Sequence, residues 1–519
     1  MKREPYYYTR NSLPASDLNW TFEKLHYASD GQFAEWVKNV CAEVLRIFDE
    51  EGMPPKAGKT EEELFEDFRK LVKLDVETQH GALDEHNGDY HTLLNTVRIS
   101  AADHFFPNIF LAQDNIGSKQ ISVMDKFSRP GLMVALFRRN LKNDGYFDYS
   151  PLVSDKLSLV KYLEQRSTDV DVWFYHAPKR GEHTYKKLRA KVSEVKALVK
   201  QGTLHSRVLF DIESVPDSET VFVREFKTST RLFPKAFRSF QTGLVSAPTN
   251  FPAAVAKTIY TMYGRPAKKP IVIFDPSLGF GGRLLGALSL VDRDITFLGC
   301  DPNTLNVRKD GLKRYEVLES FFKIMVKGRT DQNFRGKYFV CGSEVVHEEP
   351  EFQAYKGKVD LVFTSPPYFN AEIYSPDQSQ SSAKFPTYEL WRKEFLARTL
   401  QTAAEWLALD GYLIINIARV TNGDQIYPLQ EDTELICEAL GLRYVETKKM
   451  VLAHSPGAGR KADGMPTAWN FVKVNGTYRK CEPCLVFLKT KPVPEQPQFV
   501  FSDLYTPGKA ERGQIRKAA

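Results

Sequence analysis

From about residue 245 the chain alternates short apolar runs with stretches of helical spacing, and this alternation constrains the fold more than any other feature. IVIF at 271–274 precedes a glycine-rich turn and a helix, and TFLGC at 296–300 ends at Asp301. YFVC at 338–341 ends at Gly342-Ser343, and VDLVF at 359–363 ends at Ser365-Pro366-Pro367-Tyr368. A long helix is predicted over 388–408, with Thr387 as its N-cap and Gly411 just beyond its end. A strand at 412–417 (YLIINI), a helix over 429–440 and a strand at 484–488 (CLVFL) follow. Strands alternating with helices pair in parallel and carry helices on both faces. The expectation is therefore an α/β, doubly wound, mostly parallel sheet, with an additional N-terminal α+β domain.

The 519 residues exceed one core, so more than one domain is expected. Residues 1–240 form one region; 245–490 form the alternating domain; 491–519 form a polar tail, loose from about 503. The first region has helical spacing at 31–49, 60–75 and 184–200, the last basic and ended by Gly202. Two strand-like runs, RVLFDIESV and TVFVREFK, are joined by a turn at Pro216-Asp217-Ser218-Glu219, and a basic, aromatic stretch follows at 228–243. With 42% hydrophobic and 26% charged residues, the composition is that of a soluble globular protein, and a net charge of +6 is compatible with an anionic partner. The six cysteines are too scattered for a disulfide framework, and Cys481 and Cys484 have no second pair at metal spacing, so no metal is expected. The start, MKREPYYYTR, lacks an apolar core and no run approaches a membrane span, which points to a cytoplasmic protein.

Four of the predicted strand ends carry polar or turn residues, and ligands in such sheets bind beyond those ends. FDPSLGFGGR puts Asp275 and Pro276 at a strand end and Gly279, Gly281 and Gly282 in the turn before a helix. Glycine lets backbone approach a ligand closely. Asp301 lies 20 residues beyond Gly281, the spacing at which a carboxylate hydrogen-bonds ribose hydroxyls. A glycine turn alone also serves merely to pack a helix on a sheet; the spaced acid favours a ligand. An acid ahead of the glycines suits a cationic group better than a pyrophosphate, and S-adenosyl-L-methionine carries both a ribose and an amine. The Ser365–Tyr368 corner cannot continue the strand, because proline has no N–H to donate. It suits methyl transfer to an exocyclic amine, a conjugated and poor nucleophile. Ser365 Oγ and the Pro366 carbonyl are candidate acceptors for its N–H groups, the prolines fix their geometry, and Tyr368 offers a face for stacking. A base in a duplex must be flipped out to reach such a pocket.

Residues 245 to about 490 resemble the amino-directed (N4-cytosine or N6-adenine) S-adenosylmethionine-dependent DNA methyltransferases. NFPAAVAKTIY at 250–260 is similar to the segment before the cofactor loop, FDPSLGFGGR to the cofactor motif, CGSE at 341–344 to the adenine-side segment and TSPPY to the catalytic loop. Cofactor motif before catalytic motif resembles the gamma arrangement. The resemblance implies a Rossmann-like methyltransferase sheet. It implies cofactor binding by Phe251, Asp275, Pro276, Gly279, Phe280 and Gly281, with Asp301 on the ribose and Ser343 near the adenine. Ser365, Pro366, Pro367 and Tyr368 would form the catalytic loop. Serine at the first position leans toward cytosine N4, with adenine N6 as the alternative. The implied partner is double-stranded DNA, with residues 1–240 as the candidate DNA or target recognition region, and the implied setting is a bacterial or phage modification system.

Other readings compete. The polar stretch 371–386 is read as a flap over substrate, and 454–480, with Arg460, Lys461, Lys473, Arg479 and Lys480 among Trp469, Phe471 and Tyr478, as a DNA-contacting loop. An RNA or protein N-methyltransferase, or an inactive nucleic-acid-binding protein, are the rivals. C5 methylation is disfavoured for want of a proline–cysteine nucleophile motif. Pro216-Asp217 followed by Glu225-Phe226-Lys227 matches a metal-nuclease pattern at short spacing, for which a surface hairpin is the plainer reading.

Overall fold

Ile271, Ile273 and Phe274 are wholly buried, and so are Leu361, Val362 and Phe363. Runs that are apolar on both faces form strands only where helices cover both sides of a sheet. The computed structural model describes residues 7–8, 18, 30–54, 59–81, 91–95, 99–116, 119–143, 148–153, 170–176, 186–187, 221–227, 248–266, 269–326, 333–369, 373–375, 378–422, 425–452, 471–474 and 477–507.

Seven strands build the main sheet: β1 (Ile271–Asp275), β2 (Ile295–Cys300), β3 (Phe334–Phe339), β4 (Val359–Thr364), β5 (Leu407–Asn416), β6 (Leu442–Val451) and β7 (Thr477–Lys489). They lie side by side in the order β3-β2-β1-β4-β5-β7-β6. Strands β1 to β5 pair in parallel, whereas β7 is antiparallel to both β5 and β6. His91–Leu93 adds beside β6 in parallel, His80–Gly81 pairs with it, and Phe471–Val474 folds back on β7. The chain moves outward from β1 to β3 and then resumes on the other side of β1 at β4. The strand order thus reverses between β1 and β4, where an open sheet forms a ligand crevice at its carboxyl edge. The expected α/β, doubly wound, mostly parallel fold is the one observed.

Helices α1 (Glu61–Val72), α2 (Ala253–Tyr263), α3 (Gly282–Leu288), α4 (Arg314–Val326), α5 (Arg398–Trp406) and α6 (Leu429–Ala439) cover the sheet. α1 starts with a capping box: the Thr60 hydroxyl accepts from Glu63 N–H, and Thr60 N–H donates to the Glu63 carboxylate. The buried Lys257 ammonium of α2 donates to the carbonyls of Leu71, Val72 and Leu74, supplying donors and positive charge at the end of α1. Thr387 is the N-cap predicted from sequence, its hydroxyl accepting from Leu390 N–H. The helix it opens widens into a π-helical stretch, Trp391–Ala397, before continuing as α5.

Several boundaries differ from the expectation. The helix stops at Trp406 and β5 begins at once, at Leu407 rather than 412. The left-handed residue is Asp410, with φ of 62°, and not Gly411. β3 runs over 334–339 rather than 338–341. β6 went unanticipated because LRYVETKKMV mixes charges into its alternation. The expected loose tail is tied down as far as Tyr505: Phe499, Phe501 and Tyr505 pack against the core, and Ser502 N–H donates to the buried Asp432 carboxylate.

The chain divides into two compact units that do not follow the linear boundary near 240. One comprises residues 1–9, 58–123 and 245–519, the other 10–57 and 124–244. Residues 58–123 join the sheet domain because His91–Leu93 extends its edge and Phe105 and Phe106 pack against rings of the sheet domain, Phe321 and Phe322 of α4 for the first and Phe280 for the second. The other unit has helices Asp30–Glu51 and Pro130–Asn143 and an antiparallel sheet of Asp148–Val153, Val221–Lys227, Val170–His176 and Lys186–Lys187, in that order. The predicted helix at 184–200 lies outside the described residues except for Lys186–Lys187, which form a strand. RVLFDIESV, the 216–219 turn and the stretch 228–243 also lie outside them, as does 454–470. Among the described residues no helix is long and apolar enough to cross a membrane.

Candidate functional site

The carboxyl ends of β1, β2, β4, β5 and β6 open on one cavity of about 500 Å³, within the usual range for small-molecule sites. The glycine turn and the Ser-Pro-Pro-Tyr corner, 86 residues apart from Gly279 to Ser365, both line it. Of the residues singled out in the sequence, Phe251, Pro276, Gly279, Phe280, Asp301, Ser343, Ser365, Pro367 and Tyr368 are on its wall. Asp275, Gly281 and Pro366 are not.

The turn after β1 is held from below. Gly279 adopts φ of 56°, a left-handed conformation that favours glycine, although an added side-chain carbon there would make only an ordinary contact, with the Ser277 carbonyl oxygen at 3.9 Å. A Cβ on Gly282 would stand 2.1 Å from the Phe251 carbonyl oxygen, so no other residue fits. Asn250 clamps the turn on both sides, accepting from Gly282 N–H at 3.0 Å and donating to the Phe280 carbonyl at 2.6 Å. Tyr315 OH donates to the Gly279 carbonyl at 2.7 Å, and Asn306 donates to that same phenol oxygen at 2.7 Å. Asn108 in turn donates to Asn306 at 2.9 Å. This buried polar network holds the turn in place before any ligand arrives.

Asp275 does not stand where the sequence put it. Its carboxylate is wholly buried and accepts from Arg283 Nε at 2.8 Å and Ser277 N–H at 3.1 Å. Burial raises its pKa and Arg283 opposes the rise. The expected direct contact with a ligand amine is therefore corrected: this acid neutralises Arg283. The Arg283 guanidinium lies 5.3 Å from the Phe251 ring centroid, also donates to the Ser277 carbonyl, and reaches the cavity wall. The physical reason is proximity: Arg283 follows the turn by one helical position, and a buried carboxylate is stable only when paired.

Asp301 opens on the cavity while accepting Gly279 N–H at 2.8 Å and Asn303 N–H at 3.0 Å. Burial pushes its carboxyl up to about 6, and the two backbone donors hold it from going further. Ser343 lies on the wall with its hydroxyl bonded to Thr399 at 2.7 Å, and the neighbouring Glu344 pairs with Lys384 at 2.6 Å. Lys384 belongs to the stretch read as a flap. Its described residues pack over the ends of β1 and β2: Ser379 donates to the Pro302 carbonyl at 3.0 Å and Tyr374 meets Phe280 edge-on at 6.0 Å.

Ser365 donates to Asn416 Oδ1 at 3.2 Å. After Tyr368 the backbone turns through Phe369, whose φ of 51° is unusual for a bulky residue. The Phe369 ring, packed among Tyr388, Trp391 and Tyr427 at 5.2–5.9 Å, keeps the corner in that conformation. Sequence reasoning missed Asn416, Asn250, Asn306, Tyr315 and Arg283, and missed Asn95, Ile99 and Ser100, which reach the same cavity from the 58–123 segment. Only Asn416 carried a signal, being a polar residue near the end of the apolar run YLIINI.

The fold and site define an open α/β sheet with a ligand crevice at its switch point. No protein-family model and no curated protein matches the sequence. Similar solved structures include a Thermus thermophilus protein provisionally named a DNA modification methylase, at 21% identity and a TM-score of 0.20. That match covers 30% of this chain and 54% of that protein, so the chain spans about half of its length. The Burkholderia thailandensis 1,6-didemethyltoxoflavin-N1-methyltransferase, solved with S-adenosylhomocysteine, is similar at 13% identity and a TM-score of 0.26, covering 46% of this chain and 78% of that one. YcgJ of Bacillus subtilis is similar at 11% identity and a TM-score of 0.25, covering 46% and 98%. These scores carry no chemistry across; the residues themselves must.

Proposed function

We propose that this protein is an S-adenosyl-L-methionine-dependent DNA methyltransferase acting on an exocyclic amine of a flipped base, cytosine N4 before adenine N6. The observation that carries this reading is one cavity lined both by Gly279 and Phe280 and by Ser365, Pro367 and Tyr368. The cavity's donor set fits the cofactor. Asp301 would accept from the ribose hydroxyls, Ser343 and Glu344 would flank the adenine, and Phe251 and Arg283 would border the methionine end. When bound, S-adenosyl-L-methionine would supply a methyl group already activated on a positively charged sulfur. Ser365 and the Ser-Pro-Pro-Tyr backbone would accept the amine's N–H groups and aim its lone pair. Tyr368 would stack on the base. These acceptors would hold the amine nitrogen toward that methyl group, and the proton the amine sheds would pass to solvent. No general base is required of the protein. The unit of residues 10–57 and 124–244 is the part available to read the target, and Phe471–Lys480 to meet the backbone.

The test is single-molecule sequencing of DNA from cells expressing the full chain, which reports the modified base and its context. N4-methylcytosine at a defined site is expected. N6-methyladenine would move the target and keep the chemistry. Unmodified DNA, with label from the donor entering RNA or protein instead, would overturn the DNA reading.

Cofactor binding should depend on pH through Asp301. Its folded pKa lies above the ordinary 3.8, so stability from this group is present below about pH 4 and lost as pH rises through about 6. The ionised form is the one a ribose stabilises. S-adenosylhomocysteine, titrated calorimetrically, is expected to bind about tenfold more weakly at pH 5 than at pH 7. Asp301→Asn should bind weakly at both values, with that slope flattened.

A further inference from the structure

The hydrogen-bond polarity of the Ser-Pro-Pro-Tyr corner is set two strands away. The Pro483 carbonyl on β7 can only accept. It receives Ile417 N–H at 3.2 Å and faces Asn416 Nδ2 at 3.0 Å. The amide of Asn416, 1% exposed, therefore turns its NH₂ toward β7 and its oxygen toward β4. That oxygen, also an acceptor only, stands 3.2 Å from Ser365 Oγ. A serine hydroxyl has one proton, and here it is committed to Asn416. What Ser365 has left for the cavity it lines is its lone pairs.

We infer that Asn416 is a positioning residue that locks Ser365 as an acceptor, so that the corner admits nucleophiles bearing N–H and rejects carbonyls and other acceptor-only groups. This rests on the methyltransferase reading and deepens it. Without Asn416 the Ser365 hydroxyl would rotate and donate into the pocket, competing for the nitrogen lone pair that must attack. A carboxylate in place of Ser365 carries no proton at neutral pH and would need no such lock, which separates a polarity role from a packing role.

The first measurement uses the unaltered protein. Oligonucleotides carrying the mapped target base are compared with ones in which its amine is replaced by a carbonyl, uracil for cytosine or hypoxanthine for adenine. The carbonyl version is expected to bind at least about tenfold more weakly in the presence of S-adenosylhomocysteine. Equal binding overturns the inference. The second compares kcat in four proteins: wild type, Asn416→Leu, Ser365→Asp and the double variant. Asn416→Leu is expected to lower kcat about 10- to 100-fold in the serine background. In the aspartate background it should cost less than about twofold, with KM for DNA and cofactor affinity unchanged. The same loss in both backgrounds, or none in either, overturns it. If Asn416→Leu fails to fold, the oligonucleotide comparison decides alone. A wild-type protein that moves no methyl group to any nucleobase refutes the parent reading and this inference with it. One that methylates but ignores the amine-to-carbonyl change refutes this inference only.

Discussion

Ser365→Ala is expected to lower the rate of methyl transfer about 10²- to 10³-fold while leaving the protein folded and the cofactor bound. The side chain is small and partly exposed to the cavity, so its removal leaves no hole that could collapse the core, and the lost bond to Asn416 costs only about 1–3 kcal/mol. On the proposed function, what is lost is a fixed acceptor for the amine, and removing one preorganised hydrogen-bonding group from a catalytic corner costs about that much. Single-turnover transfer of a labelled methyl group measures the rate, and calorimetry the cofactor. A parallel loss of S-adenosylmethionine affinity would mean that Ser365 serves the donor instead. Tyr368→Ala should act on the acceptor side. Losing a stacking face worth about 1–3 kcal/mol raises KM for DNA and lowers kcat.

Arg283→Met is expected to destabilise the sheet domain by about 3–5 kcal/mol, because it leaves the Asp275 carboxylate buried without its partner. The sign of the pH dependence follows from burial. Arg283 is what restrains the Asp275 pKa against desolvation, so in the variant that pKa rises further above its unfolded value of 3.8. A group raised in this way favours the folded state below the unfolded pKa and loses that contribution as pH increases. The stability gap between wild type and variant should therefore be wide at pH 7 and narrow toward pH 4. Urea unfolding at the two values measures it. A gap independent of pH would show that the loss is packing over Phe251 rather than an orphaned charge. Asp275→Asn in the Arg283→Met background should recover part of the stability, since an amide needs no counter-ion.

At the site, the places where the structure departs from the sequence reading share one cause. Asp275 was legible as an acid at a strand end before glycines. Its partner was not, because nothing in a linear pattern says whether Arg283, eight positions on, turns inward or outward. The same holds for residues 58–123. Their helical and strand signals are ordinary, yet His91–Leu93 pairs with β6, some 350 positions later, and brings Asn95 and Ser100 to the cavity. Long-range pairing leaves no local trace. The ends of β1, β2 and β4 were legible because each element there obeys a local rule: apolar strand, then glycine, acid or proline.

By itself the sequence determined the parallel sheet and the order of its turns, because burial on both faces and breaks in strand periodicity are written in neighbouring residues. It also determined that a glycine turn, a spaced acid and a stiff serine-proline corner would lie at the same edge of one sheet. Tertiary structure alone decided which polar atoms face the cavity and which are consumed beneath it. Asp275 is spent on Arg283, while Ser365 keeps its lone pairs because Asn416 and the Pro483 carbonyl, far away in the chain, take its proton's side of the bond.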